Sequence, residues 1–242
     1  MSRIKTGLLK VLGCSGLRIL LVAGLMTCLC AEEVRAQERV LVSNIGQANA
    51  PPTLFFSSGS PIASALGIAD HAQSFTTGSN SSGYKLNSVE IQFGRIATGL
   101  TYKVSIHQSG TSGPGAEIGA LTNPTFSTST TGQTLTFSAG SDGITLAAST
   151  EYFIVLDVSG TRTNQITTWR NTLSDNEDSS GLNDWTIDND HIYRCHSIHA
   201  LCPNLKWPDN LQSSSLKFRI NGEVLIPPGV TVSPTSLTVT EA

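Results

Sequence analysis

From Arg39 onward the chain is built of short runs in which apolar and polar side chains alternate. Val89, Ile91 and Phe93 alternate with Glu90 and Gln92, and Tyr102, Val104 and Ile106 alternate with Lys103, Ser105 and His107. Leu216, Phe218 and Ile220 alternate with Lys217 and Arg219 in the same way. A period of two with one wet face is what a half-buried antiparallel strand requires. The pattern predicts strands at Arg39–Asn44, Ala72–Thr77, Ser88–Phe93, Tyr102–Gln108, Thr134–Ser138, Tyr152–Val158, Gln165–Arg170, His191–Arg194 and Ser215–Asn221. Phe153 to Val158 is nearly continuous in apolar residues, as a central strand buried on both faces would be. Turn formers separate the runs, among them Ser109 to Gly115 (SGTSGPG) and Ser141-Asp142-Gly143. So many short strands with this punctuation predict an all-β fold, an antiparallel two-sheet β-sandwich of jelly-roll-like type over residues 37–225.

The first residues follow a different rule. Met1 to Arg18 carries Arg3, Lys5, Lys10 and Arg18 with no acid, and Ile19 to Cys30 runs twelve residues without a charge. Val34-Arg35-Ala36 then places small residues at the minus-three and minus-one positions of a cleavage site. The expectation is a secretory signal helix over residues 1–36, removed after Ala36. A spanning helix is the competitor, but twelve residues rise only about 18 Å against a hydrocarbon core of roughly 30 Å. A lipid anchor at Cys28 competes through Leu25-Met26-Thr27-Cys28, where Thr27 is larger than such a signal prefers. With the leader removed, no remaining stretch is long and apolar enough to span a bilayer.

Two further stretches bear on domain organisation. Ala48 to Asp70 is long for a hairpin loop and holds Pro51, Pro52 and Pro61, which suits an insertion or a segment draped over a sheet edge. Residues 226–229, with Pro227, Pro228 and Gly229, read as a linker. Residues 230–242 alternate like a first strand, and thirteen residues are too few for a domain. They are expected to open a following β domain, with a flexible tail as the alternative.

Composition sharpens this picture. Only 14% of residues are charged and the formal net charge is -3, which excludes a nucleic-acid binder that works through overall basicity. Removal of residues 1–36 takes five of the 15 basic and two of the 18 acidic residues, leaving a mature chain at -6. It also takes Cys14, Cys28 and Cys30, so the five cysteines reduce to Cys195 and Cys202. An acidic chain with an even cysteine count suits a secreted or cell-surface location.

The order of several blocks resembles the choice-of-anchor R domain of exported bacterial surface proteins. These are Val40 to Gln47 (VLVSNIGQ), Ala72 to Ser79 (AQSFTTGS) with Gly83 to Leu86 (GYKL), and Gly143 to Tyr152 (GITLAASTEY). Ser174 to Ser179 (SDNEDS) with Trp185, and Ser213 to Phe218 (SSSLKF), are similar to its later blocks. The resemblance spans most of residues 40–222. It implies a non-enzymatic β-sandwich module at the front of a larger exported protein, and it supplies no catalytic residues. The final stub is similar to the opening strand of Ig-like or Calx-β-like repeats that follow such modules.

Three constellations carry candidate chemistry. Asp175, Glu177, Asp178, Asp184, Asp188 and Asp190 gather six acids within 16 residues, a density of oxygen ligands suited to Ca²⁺. Asp175, Glu177, Asp178, Asp188 and Asp190 are the candidate ligands, against the reading of a solvated acidic loop; no other cofactor is expected. Cys195 to Cys202 (CHSIHALC), with His191 upstream, is either a short disulfide loop or a crowded Zn²⁺ set with His196 and His199. The disulfide is the simpler reading in an exported chain. Trp185 and Trp207 sit in polar sequence that suggests partial exposure, and with Tyr193 they form a candidate sugar platform. Aromatics are only 6% of the chain, so packing competes for the same rings, most of all for Trp169 at a strand end. No Gly-x-Ser-x-Gly elbow and no phosphate-cradling loop is present, so the expected role is structural or adhesive, with glycans or other surface proteins as partners.

Overall fold

The computed structural model describes residues 37–50, 56–58, 69–97, 100–126, 132–159, 165–174, 176–195, 206–207 and 210–227. The leader and residues 228–242 lie outside them, as do Asp175, His196, His199 and Cys202. Among the described residues the fold is all-β, with every strand pair antiparallel and no helix long and apolar enough to cross a membrane.

The strands run β1 (Arg39–Ser43), β2 (Phe56–Ser58), β3 (Ala69–Thr76), β4 (Tyr84–Arg95), β5 (Thr101–Gly110), β6 (Gly113–Leu121), β7 (Gln133–Ser138) and β8 (Ile144–Leu146). They continue with β9 (Glu151–Ser159), β10 (Gln165–Trp169), β11 (Asn171–Thr172), β12 (Thr186–Cys195), β13 (Asn210–Gln212), β14 (Ser215–Leu216) and β15 (Phe218–Val224). One sheet is centred on β4. Val89 pairs with both Ile220 and Phe137, and Phe93 with both Trp169 and Gln133. So β15 and then β10 occupy one edge of β4, while β8 and β7 share the other. The second sheet has six strands in the order β13-β12-β3-β9-β5-β6.

Inward-facing residues of both sheets meet in one apolar cluster. Leu86, Val89, Ile91, Phe93, Phe218 and Ile220 come from the first sheet, and Phe75, Tyr102, Val104, Ile154, Leu156 and Ile187 from the second. This arrangement is consistent with a β-sandwich. As its unbroken apolar run predicts, β9 is central, lying between β3 and β5. Its alternate residues Phe153 and Val155 emerge on the other face of the six-stranded sheet. There they form a smaller cluster with Ala72 and Ile192, and Trp207 packs against it.

Several elements differ from the periodic reading. Gly113 to Gly115, expected as turn, opens β6, and only Thr111 and Ser112 form the turn. Pro114 is tolerated because β6 ends its sheet's strand order, where a missing N–H breaks few ladder bonds. Strand β12 begins at Thr186, five residues earlier than the expected His191. Its first half holds Asp188, Asn189 and Asp190, which break the alternation for a reason that defines the site.

Candidate functional site

The break in β12 is a β-bulge. Ile187 pairs with Phe75 and His191 with Gln73, so Asp188, Asn189 and Asp190 stand opposite the single residue Ser74. Gln73, fully buried, holds this excess chain. Its amide Nε2 donates to the carbonyls of Asp188 (2.8 Å) and Asp190 (3.1 Å). Its Oε1 accepts from the Leu216 N–H at 2.7 Å. The Ser215 hydroxyl adds a second donor to the Asp188 carbonyl at 2.8 Å. Carbonyls that the ladder leaves over are thereby satisfied from the protein interior, as buried polar groups must be. Bulges re-aim side chains, and here Asp188 and Asp190 are turned to the outer face around Ser74, whose hydroxyl donates to Asp188 Oδ2 at 3.2 Å.

These two carboxylates edge a small pocket of about 170 Å³ on the outer face of the six-stranded sheet. Phe153 and Ile192 form its apolar floor, and Ser112 and Gly113 at the β5–β6 turn close one side. Gly113 has φ +125°, and a Cβ there would fall 2.6 Å from Ile192 Cδ1 and 3.2 Å from Trp207 Cβ. Glycine is therefore what allows the hairpin tip to approach so closely. Beside the pocket, the Arg194 guanidinium lies 5.0 Å from the centre of the Trp207 ring, a cation–π contact. Arg194 also donates to Asp70 Oδ2, through Nε at 3.2 Å and through a shorter second bond. Asp70 is fully buried.

The sequence-predicted residues part company here. Trp185 is 1% exposed and belongs to the main core, stacked on Phe75 and edge-on to Tyr84 at 4.9 Å. The partial exposure expected from its polar neighbours is corrected: Asp184 and Thr186 face solvent while the ring turns inward. Tyr193 stacks on His71 at 5.6 Å, on the opposite side of β12 from Ile192 and Arg194. Trp207 alone of the three rings lies beside the pocket, so they form no common platform.

The acids also disperse. Asp178 Oδ2 accepts from Ser43 Oγ at 2.7 Å and from the Gly46 N–H at 2.9 Å, pinning the chain after β1. Glu177 Oε1 accepts from the Ile187 N–H at 2.7 Å. Asp184 caps Ser79 through its N–H and hydroxyl, at 2.7 and 3.0 Å, and these bonds hold its carboxyl below the usual range. Calcium needs six to eight oxygens around one point. Among the described residues no three His, Cys, Asp or Glu gather to hold an ion. Of the described candidates, Glu177, Asp178 and Asp188 each accept hydrogen bonds from different protein donors. Cys195 ends β12 opposite Ala69; its proposed disulfide partner Cys202 is outside the described residues.

Two polar pairs were missed. His71 and His191, 3% and 1% exposed, stack with ring centres 5.9 Å apart on the inner side of the second sheet. His191 Nδ1 bonds the Ser214 carbonyl at 2.5 Å. Burial pushes His191 down to about 4, and burial together with His191 holds His71 well below its ordinary value. On the outer face, His107 Nδ1 meets the Gly115 carbonyl at 2.9 Å while Nε2 meets Ser105 Oγ at 3.0 Å. In the neutral ring the carbonyl takes the Nδ1 proton, leaving Nε2 to accept from the hydroxyl. Ser105 is 2% exposed, so this hydroxyl–imidazole pair is shut off from a substrate. Nothing in the alternation of β5 distinguishes either residue from ordinary wet-face positions.

Comparison of the chain with family models, with curated proteins and with solved structures finds no match.

Proposed function

We propose that the chain is a non-enzymatic structural and adhesive module of an exported, multidomain bacterial surface protein, folded as a jelly-roll-like β-sandwich. Successive strands support that topology by alternating between sheets: β3 in the second, β4 in the first, β5 and β6 in the second, β7 and β8 in the first, β9 in the second. The ordered blocks that resemble the choice-of-anchor R domain, and the leader expected over residues 1–36, support export and surface display. The observation that carries the adhesive role is the pocket on the outer face, where Gln73 holds a bulge that presents Asp188 and Asp190 over Phe153 and Ile192.

The test combines location and adhesion. Fractionation of expressing cells should find the chain outside the cytoplasm, cleaved after Ala36. Beads coated with the mature protein should adhere to a target surface, and Asp188→Asn with Asp190→Asn should weaken that adhesion. An intracellular chain that keeps its first 36 residues, or adhesion indifferent to the pocket, would overturn the reading.

Trp207 favours a second reading as a carbohydrate-binding module, because its ring lies half-buried against the outer-face apolar cluster and under the Arg194 guanidinium. Glycan-array binding abolished by Trp207→Ala would support it. Trp185→Ala is not the informative change, since that ring is core.

A further inference from the structure

The outer-face pocket has a chemical preference that can be read from its walls, and the inference rests on the binding-module reading above. Asp188 and Asp190 make no ion pair with a lysine or arginine among the described residues, where ion pairs join Lys103 to Glu117, Arg194 to Asp70 and Arg219 to Glu90, with His107 near Glu117. The nearest cation along β12, Arg194, is committed to Asp70 and to the Trp207 ring. The pocket therefore keeps two uncompensated carboxylates. Its floor, however, is the ring of Phe153 and the side chain of Ile192.

That combination separates ligand classes. A calcium ion requires oxygen on all sides, and an apolar floor supplies none. A sugar ring carries hydroxyls around its rim and would leave several against Ile192. An ammonium on a methylene stem suits both walls, because the stem lies along the apolar floor and the charge meets carboxylates and an aromatic face. At about 170 Å³ the space is below the roughly 300–1,000 Å³ of sites that enclose a whole small molecule. It fits one side chain. We propose that the bulge pocket captures a lysine side chain presented by a partner protein, with Asp188 and Asp190 holding the ammonium and Phe153 and Ile192 the stem.

Nα-acetyl-lysine N-methylamide, titrated into the mature chain and followed by amide NMR shifts, is the probe. Saturable shifts should centre on Ser74, Ser112, Phe153 and Ile192. The norleucine analogue, which keeps the stem and lacks the ammonium, should bind at least tenfold more weakly. Asp190→Asn, a change at a partly exposed position, should weaken lysine binding at least tenfold with an unchanged melting temperature, and Asp188→Asn serves as the second variant. Chelator should have no effect. Equal binding of the norleucine analogue, tighter binding of glucosamine, shifts spread over the whole acidic surface, or wild-type affinity in both variants would each overturn the lysine assignment. If adhesion still depends on the pocket in that event, the binding-module reading stands with another ligand; if it does not, both fall.

Discussion

The indole of Trp185 lies parallel to the ring of Phe75, with centres 5.8 Å apart and 3° between the planes. Tyr84 meets the same indole edge-on, so one tryptophan joins β3 of the second sheet to β4 of the first. The Trp185 Nε1 has no hydrogen-bond partner among the described residues, so its contribution is one of packing. Trp185→Ala should therefore cost about 3–5 kcal/mol, the usual range for emptying an aromatic core site. Trp185→Phe should cost clearly less. Denaturant unfolding of the three proteins checks this, and a Trp185→Ala protein as stable as the parent would contradict the burial.

Gln73→Ala should be nearly as costly, although only a polar side chain is lost. It would strip partners from the Asp188 and Asp190 carbonyls and from the Leu216 N–H. Buried groups left unsatisfied cost about 1–3 kcal/mol each before water or local rearrangement compensates. The expected signature is a fall of about 3 kcal/mol in unfolding free energy with an unchanged denaturant slope. Loss of the pocket's ligand should accompany it, because the same amide shapes the bulge.

The histidine pair predicts an acid-sensitive fold. Both rings are held neutral by burial, His191 at about 4 and His71 well below its ordinary value. In the unfolded chain each titrates near 6.5, so below that pH the unfolded state binds more protons than the folded one. Their contribution is fully present above pH 6.5 and is lost as pH falls toward 4. At pH 5 the loss should be about 2 kcal/mol from His191 alone. Unfolding at pH 7.5 and 5, compared between the parent and His191→Phe, should show a shallower pH dependence in the variant. Equal slopes would remove the histidines as the cause.

Chelation should leave the fold unmoved. Asp178, Glu177 and Asp184 already accept hydrogen bonds from Ser43, Gly46, Ile187 and Ser79, so protein donors tie these loops down. Melting curves with excess chelator and with millimolar Ca²⁺ should superimpose. A rise of several degrees with Ca²⁺ would instead support a calcium-stabilised module.

What was legible in the sequence follows from what each element depends on. The nearly continuous apolar run of β9 identified a strand buried on both faces, because a central strand has no alternative use for Phe153 and Val155. Trp185 was misread because its exposure was judged from neighbours in sequence, whereas its burial is decided by Phe75 and Tyr84, each about a hundred residues away. The turn reading at Gly113 overlooked that an edge strand tolerates glycine and proline. The pocket was half visible, since Asp188 and Asp190 were singled out, but for calcium. What joins them to Ser74, Phe153 and Ile192 is the pairing of β12 with β3, and no local pattern reports a long-range register. Gln73 looked like any polar position until the bulge showed what its amide is for.

The bulge adds an even number of residues, and that parity has a consequence for how the protein can vary. Ile187 and His191 both face the core although three residues separate them where the partner strand has one. Insertions or deletions made in pairs at this point would leave every later side chain of β12 on its proper face. A single-residue change would turn His191 and Tyr193 outward and Ile192 and Arg194 inward. The acid-bearing loop can thus be lengthened, shortened or exchanged two residues at a time on an unchanged framework, so recognition at this face can diverge while the fold beneath it stays the same.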